Sequence, residues 1–327
     1  MSALSTTPAC IAVDWGSTNL RAWALDAHHV VLARTSSPRG MLSLSGPDAF
    51  EQALLETLED WLPSDASGVE VIICGMAGAR QGWQEAPYLK VEDTPSPLAD
   101  QLVRRRVSVK VQDPRLEVSI IPGLCQSSPH FDVMRGEETQ LAGLLGQQPE
   151  FTGSVCLPGT HTKWVHLDAG QITRFSTVMT GELFALLGRS SVLRHSVTPD
   201  SLDDARQRAC FKDGVTSALA RPAELSRELF TLRARDLLDP DLPADASRSL
   251  QLGARLSGLL IGLELAGHTL ALPSLAPVVM IGSAELCQRY QLALECLPEK
   301  PASLLYTDLT LNGLTHLHQL CRASTQP

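Results

Sequence analysis

The sequence predicts an α/β protein built from two duplicated halves, each with a mixed five-stranded sheet and the order βββαβαβα. Three observations carry this. A strand, a glycine turn and a second strand occur twice, as IAVDWGSTNLRAWALDAHHVVLART and as SVCLPGTHTKWVHLDAGQITRFST. In both copies the second strand ends in Leu-Asp-Ala and a third strand follows. The fourth and fifth strands then correspond in the same order, VEVIICGMA with APVVMIGSA and EVSIIPG with SLLYTD. Three antiparallel strands followed by parallel ones make a mixed sheet with helices on its faces.

Element by element, the first strand covers residues 11–15. A tight turn over 16–19 leads into a second strand through Asp26, and a turn at 27–29 into a third strand, 30–35. Pro47 and Asp48 open a helix through about Trp61, since proline is tolerated in a first helical turn. The fourth strand, a long irregular stretch, the fifth strand and a helix from about Gly136 complete the half; Leu141, Leu144 and Leu145 give that helix its apolar side. The second half has three strands over 154–180, helices from Glu182 to about Leu272, a buried strand, a helix from Ala284, a fifth strand and a last helix. The boundary is expected in GQQPEFTG (146–153), giving domains of 1–147 and 148–327; 239–248 reads as a surface loop.

The chain has 327 residues, enough for a large core without disulfide or metal staples. Its net charge of −9 argues against a nucleic-acid surface, so any phosphate site must be built locally from backbone amides and chosen cations. Eight cysteines show no CxxC pair and no zinc spacing, the usage of a reducing compartment. The N-terminal MSALSTTPAC lacks the pattern of a secretory signal. The most apolar long segment carries Arg255, Glu264 and His268 and reads as a core helix, not a membrane span. The expectation is a cytoplasmic protein with no membrane and no nucleic-acid partner.

The chemistry-bearing residues cluster at the turns. Asp14 ends the first strand just before Gly16, Ser17, Thr18 and Asn19. A carboxylate beside backbone N–H groups and short hydroxyls suits a metal–phosphate complex, although a hairpin capped by Asp and Asn is a common structural alternative. Gly159, Thr160, His161 and Thr162 form the partner turn, and two such turns facing each other grip one nucleoside triphosphate from both sides. Gly282 and Ser283 join a fully apolar strand to a helix, where a missing side chain clears room for a flat ring or simply allows a tight turn. Glu137 and Glu138 open the helix at 136–145; helix starts favour acids anyway, yet one here is placed to take a hydroxyl proton as general base. GMAGARQGW (75–83), with Arg80 and Trp83, reads as a flexible substrate-gripping loop, and SPRGM (37–41), with Arg39 and Gly40, as a second. Arginine suits bidentate capture of a carboxylate. There is no GxxxxGK[ST], no GxGxxG after a strand, no HExxH, no GxSxG and no HRD or DFG set.

DWGSTNLRAWALD, LPGTHTKWVHLD and VVMIGSAEL resemble the two phosphate loops and the adenosine segment of the sugar kinase, Hsp70 and actin superfamily. The fold this implies is a pair of ribonuclease-H-like (actin-like ATPase) domains with a nucleotide cleft between them. GEETQLAGL is similar to the GDQQAAL connection of carbohydrate kinases; aligning the shared Gln and Ala puts Glu138 at their catalytic Asp, with Glu137 adjacent. VDWGSTNLRAW, GMAGARQGW, IIPGL, MRGEETQLAGLL, LPGTHTKWV and MTGELFALL, in that order, resemble the 2-dehydro-3-deoxygalactonokinase family. The resemblance implies ATP-dependent phosphorylation of the 6-hydroxyl of 2-dehydro-3-deoxy-D-galactonate in galactonate catabolism. It implies Mg²⁺ near Asp14 and an arginine for the acid's carboxylate: Arg80 first, then Arg39 and Arg135. It leaves room for a homodimer. The alternatives are a kinase for another sugar or sugar acid, and an actin- or Hsp70-like ATP-driven switch.

Overall fold

The computed structural model describes residues 7–93, 97–199, 202–269 and 277–325. In the first half, β1 (Cys10–Trp15), β2 (Leu20–Leu25) and β3 (Val31–Ser37) precede α1 (Pro47–Leu58) and β4 (Val69–Gly75). Then come β5 (Tyr88–Lys90), α2 (Leu98–Arg104), β6 (Val107–Val109), β7 (Leu116–Ile120), β8 (Gly123–Gln126), β9 (Asp132–Met134) and α3 (Glu137–Gln147). The main sheet runs β3-β2-β1-β4-β7-β6. β1 is antiparallel to β2 and parallel to β4, which is parallel to β7. β1 is buried along almost its whole length, as a central strand covered on both faces should be. Trp15, Phe50, Leu54, Ile73 and Trp83 meet in the core under α1.

The second half contains β10 (Gly153–Leu157), β11 (Thr162–Asp168), β12 (Gln171–Val178), α4 (Thr180–Ser190), α5 (Ala205–Ala220) and α6 (Leu225–Leu238). It continues with α7 (Ser247–Thr269), β13 (Val278–Ile281), α8 (Ala284–Leu294), β14 (Ser303–Tyr306) and α9 (Thr310–Thr325). Its sheet runs β12-β11-β10-β13-β14, the same order as β3-β2-β1-β4-β7. The duplication read from the sequence is therefore a duplication of topology, and each half is the expected ribonuclease-H-like unit. No helix among the described residues is long and apolar enough to cross a membrane. The MSALST start and the expected helix end near Leu272 lie outside the described residues.

Two features depart from the expected plan. The irregular stretch holds α2 and the edge strand β6, and a separate small sheet, β5-β8-β9, forms from strands of three or four residues. Strands so short carry no legible alternation. The division into domains also differs. One compact unit comprises the chain to Thr152 together with His166–Phe175 and everything from Asp308 onward; the other comprises Gly153–Val165 and Ser176–Thr307. The last helix thus belongs with the first half. α9 packs on α3 and α2, and a Cβ at Gly313 would stand 1.9 Å from the Thr139 carbonyl oxygen. Only glycine lets the two helices approach that closely.

Candidate active site

In the first unit, Asp14 lies at the end of β1 with its carboxylate turned to β2. Its Oδ2 accepts from Arg21 Nε at 3.1 Å and Nη2 at 2.5 Å, and Arg21 Nη1 donates to Asp308 Oδ2 at 2.6 Å. Burial pushes the Asp14 carboxyl above its ordinary range, against the pull of Arg21. Oδ1 is clear of the arginine and meets the weak Cys74 thiol donor at 3.9 Å. One carboxylate oxygen is therefore left for a metal or its water, which fits the Mg²⁺ role. No cluster of three or more metal-ligating side chains occurs among the described residues, so most other ligands would come from phosphate and water.

The turn after Asp14 is closed by Gly16 N–H donating to the Asn19 carbonyl at 2.8 Å, and Ser17, Thr18 and Asn19 are exposed. The 37–41 loop braces this turn. Gly40 N–H donates to Thr18 O at 3.1 Å, Met41 N–H to Gly16 O at 3.1 Å and Leu42 N–H to Ser17 O at 2.9 Å. A Cβ on Gly40 would lie 2.2 Å from the Thr18 carbonyl carbon. Arg39 is ion-paired to Glu56. The structure thus gives Gly40 and Arg39 work behind the turn, where the sequence suggested contact with substrate.

The 75–83 loop is likewise no flexible grip. Gly82 N–H donates to Ala79 O at 2.8 Å and Trp83 N–H to Ala77 O at 2.8 Å, winding it tightly. Trp83 is 4% exposed, 5.9 Å edge-on from Trp15 and stacked 6.4 Å from Phe50. It is a core residue. The Arg80 side chain is 82% exposed, with a long 3.7 Å contact to Glu85.

Arg135, ranked last of the three arginines by sequence, has the most unusual setting. Its guanidinium carbon lies 4.3 Å over the Tyr88 ring, and Nη2 donates to the Ala86 carbonyl at 2.8 Å. Its Nε and Nη1 are buried without a hydrogen-bond partner. Buried donors of a charged group without acceptors are costly and rare, which sets Arg135 apart from Arg39 and Arg80. The sequence could not supply this, because it depends on Tyr88 and Ala86 arriving from a small sheet it did not reveal.

Arg135 leads directly into the glutamates. Gly136, at φ 107°, takes a conformation that a side chain would strain, and so turns the chain sharply into α3. Glu137 is half-buried, and its Oε2 accepts from the Arg135 N–H at 3.1 Å. Glu138 is fully buried; Oε2 accepts from Gly136 N–H at 2.6 Å and Oε1 from the Thr139 hydroxyl at 3.1 Å. Burial, then the charge of Glu137, pushes the Glu138 carboxyl up to about 8.

In the second unit, Thr160 and His161 are exposed and Thr162 is buried. The turn is clasped by α4: Glu182 N–H donates to Thr160 O at 3.0 Å, and His161 Nε2 meets Glu182 Oε2 at 2.6 Å. Gly282 packs on Pro158, its N–H donating to Tyr306 O at 3.0 Å, and Ser283 caps α8 by accepting from Leu286 N–H at 3.3 Å. Beside them opens a cavity of about 190 Å³, lined in part by Gly159, Gly181, Phe184, Leu286 and Tyr290. Its lining is mostly apolar.

The comparisons with known proteins agree. The family model described as 2-keto-3-deoxy-galactonokinase matches residues 14–317. A Rhizobium meliloti protein assigned as a 2-dehydro-3-deoxygalactonokinase is 40% identical over 287 residues, 87% of this chain and 88% of its own length. The Escherichia coli 2-dehydro-3-deoxygalactonokinase is 38% identical over 289 residues, 88% of this chain and 89% of its own. A crystal structure from Sinorhizobium meliloti assigned to the same activity superposes with a TM-score of 0.82 at 35% identity, covering 97% of this chain and 100% of that one. With two relatives well above 30% identity and a family model spanning nearly its full length, the chain belongs to the 2-keto-3-deoxy-galactonokinase family.

Proposed function

We propose that the protein transfers the γ-phosphoryl group of ATP to the 6-hydroxyl of 2-dehydro-3-deoxy-D-galactonate. The observation that carries the acid specificity is the pair of unpartnered, buried N–H groups on Arg135, one residue before the turn that presents the two glutamates. A substrate carboxylate at that guanidinium would accept from one of these donors; Nε and Nη1 lie on different edges of the group, so a single carboxylate does not bridge both. In this reading Arg135 takes the carboxylate role that sequence gave first to Arg80, whose head group stands in solvent.

The exposed groups of 16–19 and 159–162 take the ATP phosphates, and the cavity beside Gly282 and Ser283 takes the adenine. Mg²⁺, held by Asp14 and phosphate oxygens, supplies charge neutralisation when bound. Of the two glutamates, Glu137 serves as the base. A base must reach the substrate hydroxyl, and Glu138 has both oxygens engaged inside the protein and stays largely protonated at neutral pH. The hydroxyl oxygen bonds to the γ-phosphorus as the bridging bond to ADP breaks, and the hydroxyl proton passes to Glu137.

The test is a coupled ADP-release assay over a panel of sugar acids and neutral sugars. Turnover is expected with 2-dehydro-3-deoxygalactonate and not with galactose. Turnover of a neutral sugar alone defeats the acid specificity, and ADP release independent of any sugar defeats the kinase reading.

A further inference from the structure

A buried carboxylate in the middle of α7 gathers donors from three other elements. Glu264 is 5% exposed. Its Oε1 accepts from Trp164 Nε1 on β11 at 2.7 Å. Its Oε2 accepts from Tyr290 of α8 at 2.9 Å and from Thr180, the first residue of α4. The chain continues outward. Tyr290 Oη and Thr162 Oγ1 are 2.9 Å apart, and Gly159 N–H points to Thr162 Oγ1 at 3.4 Å. Every member lies in the second unit.

Burial lifts the Glu264 carboxyl to about 7; above that pH it is ionised and can only accept, which fixes the direction of every bond between it and the turn. Tyr290 donates to Glu264, so the Tyr290 oxygen receives the Thr162 hydroxyl, and the Thr162 oxygen receives the Gly159 amide. The partners are also the ones that shape the cavity: Thr180, Tyr290 and Gly159 line it, while Glu264 stands behind them. Such a carboxylate is an expensive group to bury, and three hydroxyl or indole donors offset that cost only while the surrounding elements hold register.

We propose that Glu264 is a positioning residue for the nucleotide, locking the 159–162 turn to the starts of α4 and the body of α8 through Thr180, Tyr290 and Thr162. The inference rests on the reading of that turn and cavity as the ATP site. It acts on ATP, not on the sugar acid, whose assigned residues lie in the other unit.

Three variants separate this role from a structural one. Glu264→Gln keeps the shape and leaves an acceptor for Trp164, but its amide must donate to the hydroxyls and so reverses the chain toward Thr162. Tyr290→Phe cuts the chain between Glu264 and the turn. Trp164→Phe removes a Glu264 partner on the side away from the turn. ADP affinity is measured by calorimetry, with KM for both substrates and Tm. Glu264→Gln and Tyr290→Phe are expected to weaken ADP and raise KM for ATP about tenfold or more, with KM for the sugar acid unchanged. Trp164→Phe is expected to lower Tm with ADP affinity retained. The inference is overturned if Glu264→Gln binds ADP as wild type does, or if Trp164→Phe weakens ADP equally at a comparable loss of Tm. A wild-type protein that binds neither ADP nor ATP overturns the underlying nucleotide reading, and this inference with it.

Discussion

Arg135 lies with its guanidinium 4.3 Å over the ring of Tyr88, and two of its buried N–H groups have no partner. The ring and the Ala86 carbonyl fix the plane of the guanidinium, so each unpaired donor keeps its direction. Arg135→Lys should therefore behave as a loss, because an ammonium cannot keep the Ala86 bond, the stack on Tyr88 and the free donors together. KM for the sugar acid is expected to rise about 10- to 100-fold, with KM for ATP unchanged, in steady-state assays. Arg80→Ala should leave both constants within about twofold, as its side chain contributes little beyond a loose surface pair.

Glu137→Gln should lower kcat by about 10²–10⁴-fold with little change in either KM, since a base acts on the transition state. Glu138→Gln should retain much more activity, because its carboxyl already carries a proton near neutral pH. Single-turnover phosphoryl transfer, measured for both variants, decides the order. Equal losses would show that the buried carboxyl also takes part.

Asp14→Asn preserves an acceptor for Arg21 but removes the negative charge available to a cation. The Mg²⁺ concentration for half-maximal rate is expected to rise about tenfold or more. A Mg²⁺ titration at saturating sugar acid reads this directly. An unchanged half-point would mean that Asp14 serves only Arg21 and the fold.

Trp83→Ala should cost about 3–5 kcal/mol of stability, the usual penalty for removing a large buried aromatic. Its contacts are Trp15 and Phe50, so folded variant protein should bind the sugar acid normally. Chemical denaturation with a parallel KM measurement separates this from a role in gripping substrate.

Stability should also fall as pH rises from about 4.5 to about 8. Burial lifts Glu264 to about 7 and Glu138 to about 8 in the folded protein, against 4.5 for the ordinary carboxyl. The contribution of each is fully present below that ordinary value. It is lost as pH climbs through the folded one, because the unfolded chain has already released the proton that the native state retains. Thermal melts across this window should show the decline, and Glu264→Gln or Glu138→Gln should each flatten it.

The sequence made the repeat legible because the inner strands of both sheets are near-continuous apolar runs that recur in the same order beside glycine turns. The order β3-β2-β1-β4-β7 and its copy follow from that alone. Candidate site residues were picked out where the signal was local, at 14–19, 136–138 and 159–162. Local signal failed where a side chain's role is set by distant neighbours. Trp83 and Arg80 share one glycine-rich loop, yet one is core and the other solvent-exposed. Gly40 looked like a substrate loop because nothing in SPRGM announces that its backbone presses on Thr18. Glu264 passed as one polar interruption in an apolar helix, since its donors come from β11, α4 and α8.

The placement of α9 has a consequence for biosynthesis. The helix that packs on α3, with Asp308 just before it pairing with Arg21, leaves the ribosome after every element of the second unit. Nascent domains fold roughly in the order in which they emerge. Here the order is inverted: the second unit is complete in chain terms while the first still lacks its closing helix. The face of α3 around Thr139 and Gly143, which α9 covers, stays open throughout that interval. The unit that carries Asp14, Arg135 and Glu137 reaches its final packing only once α9 has emerged.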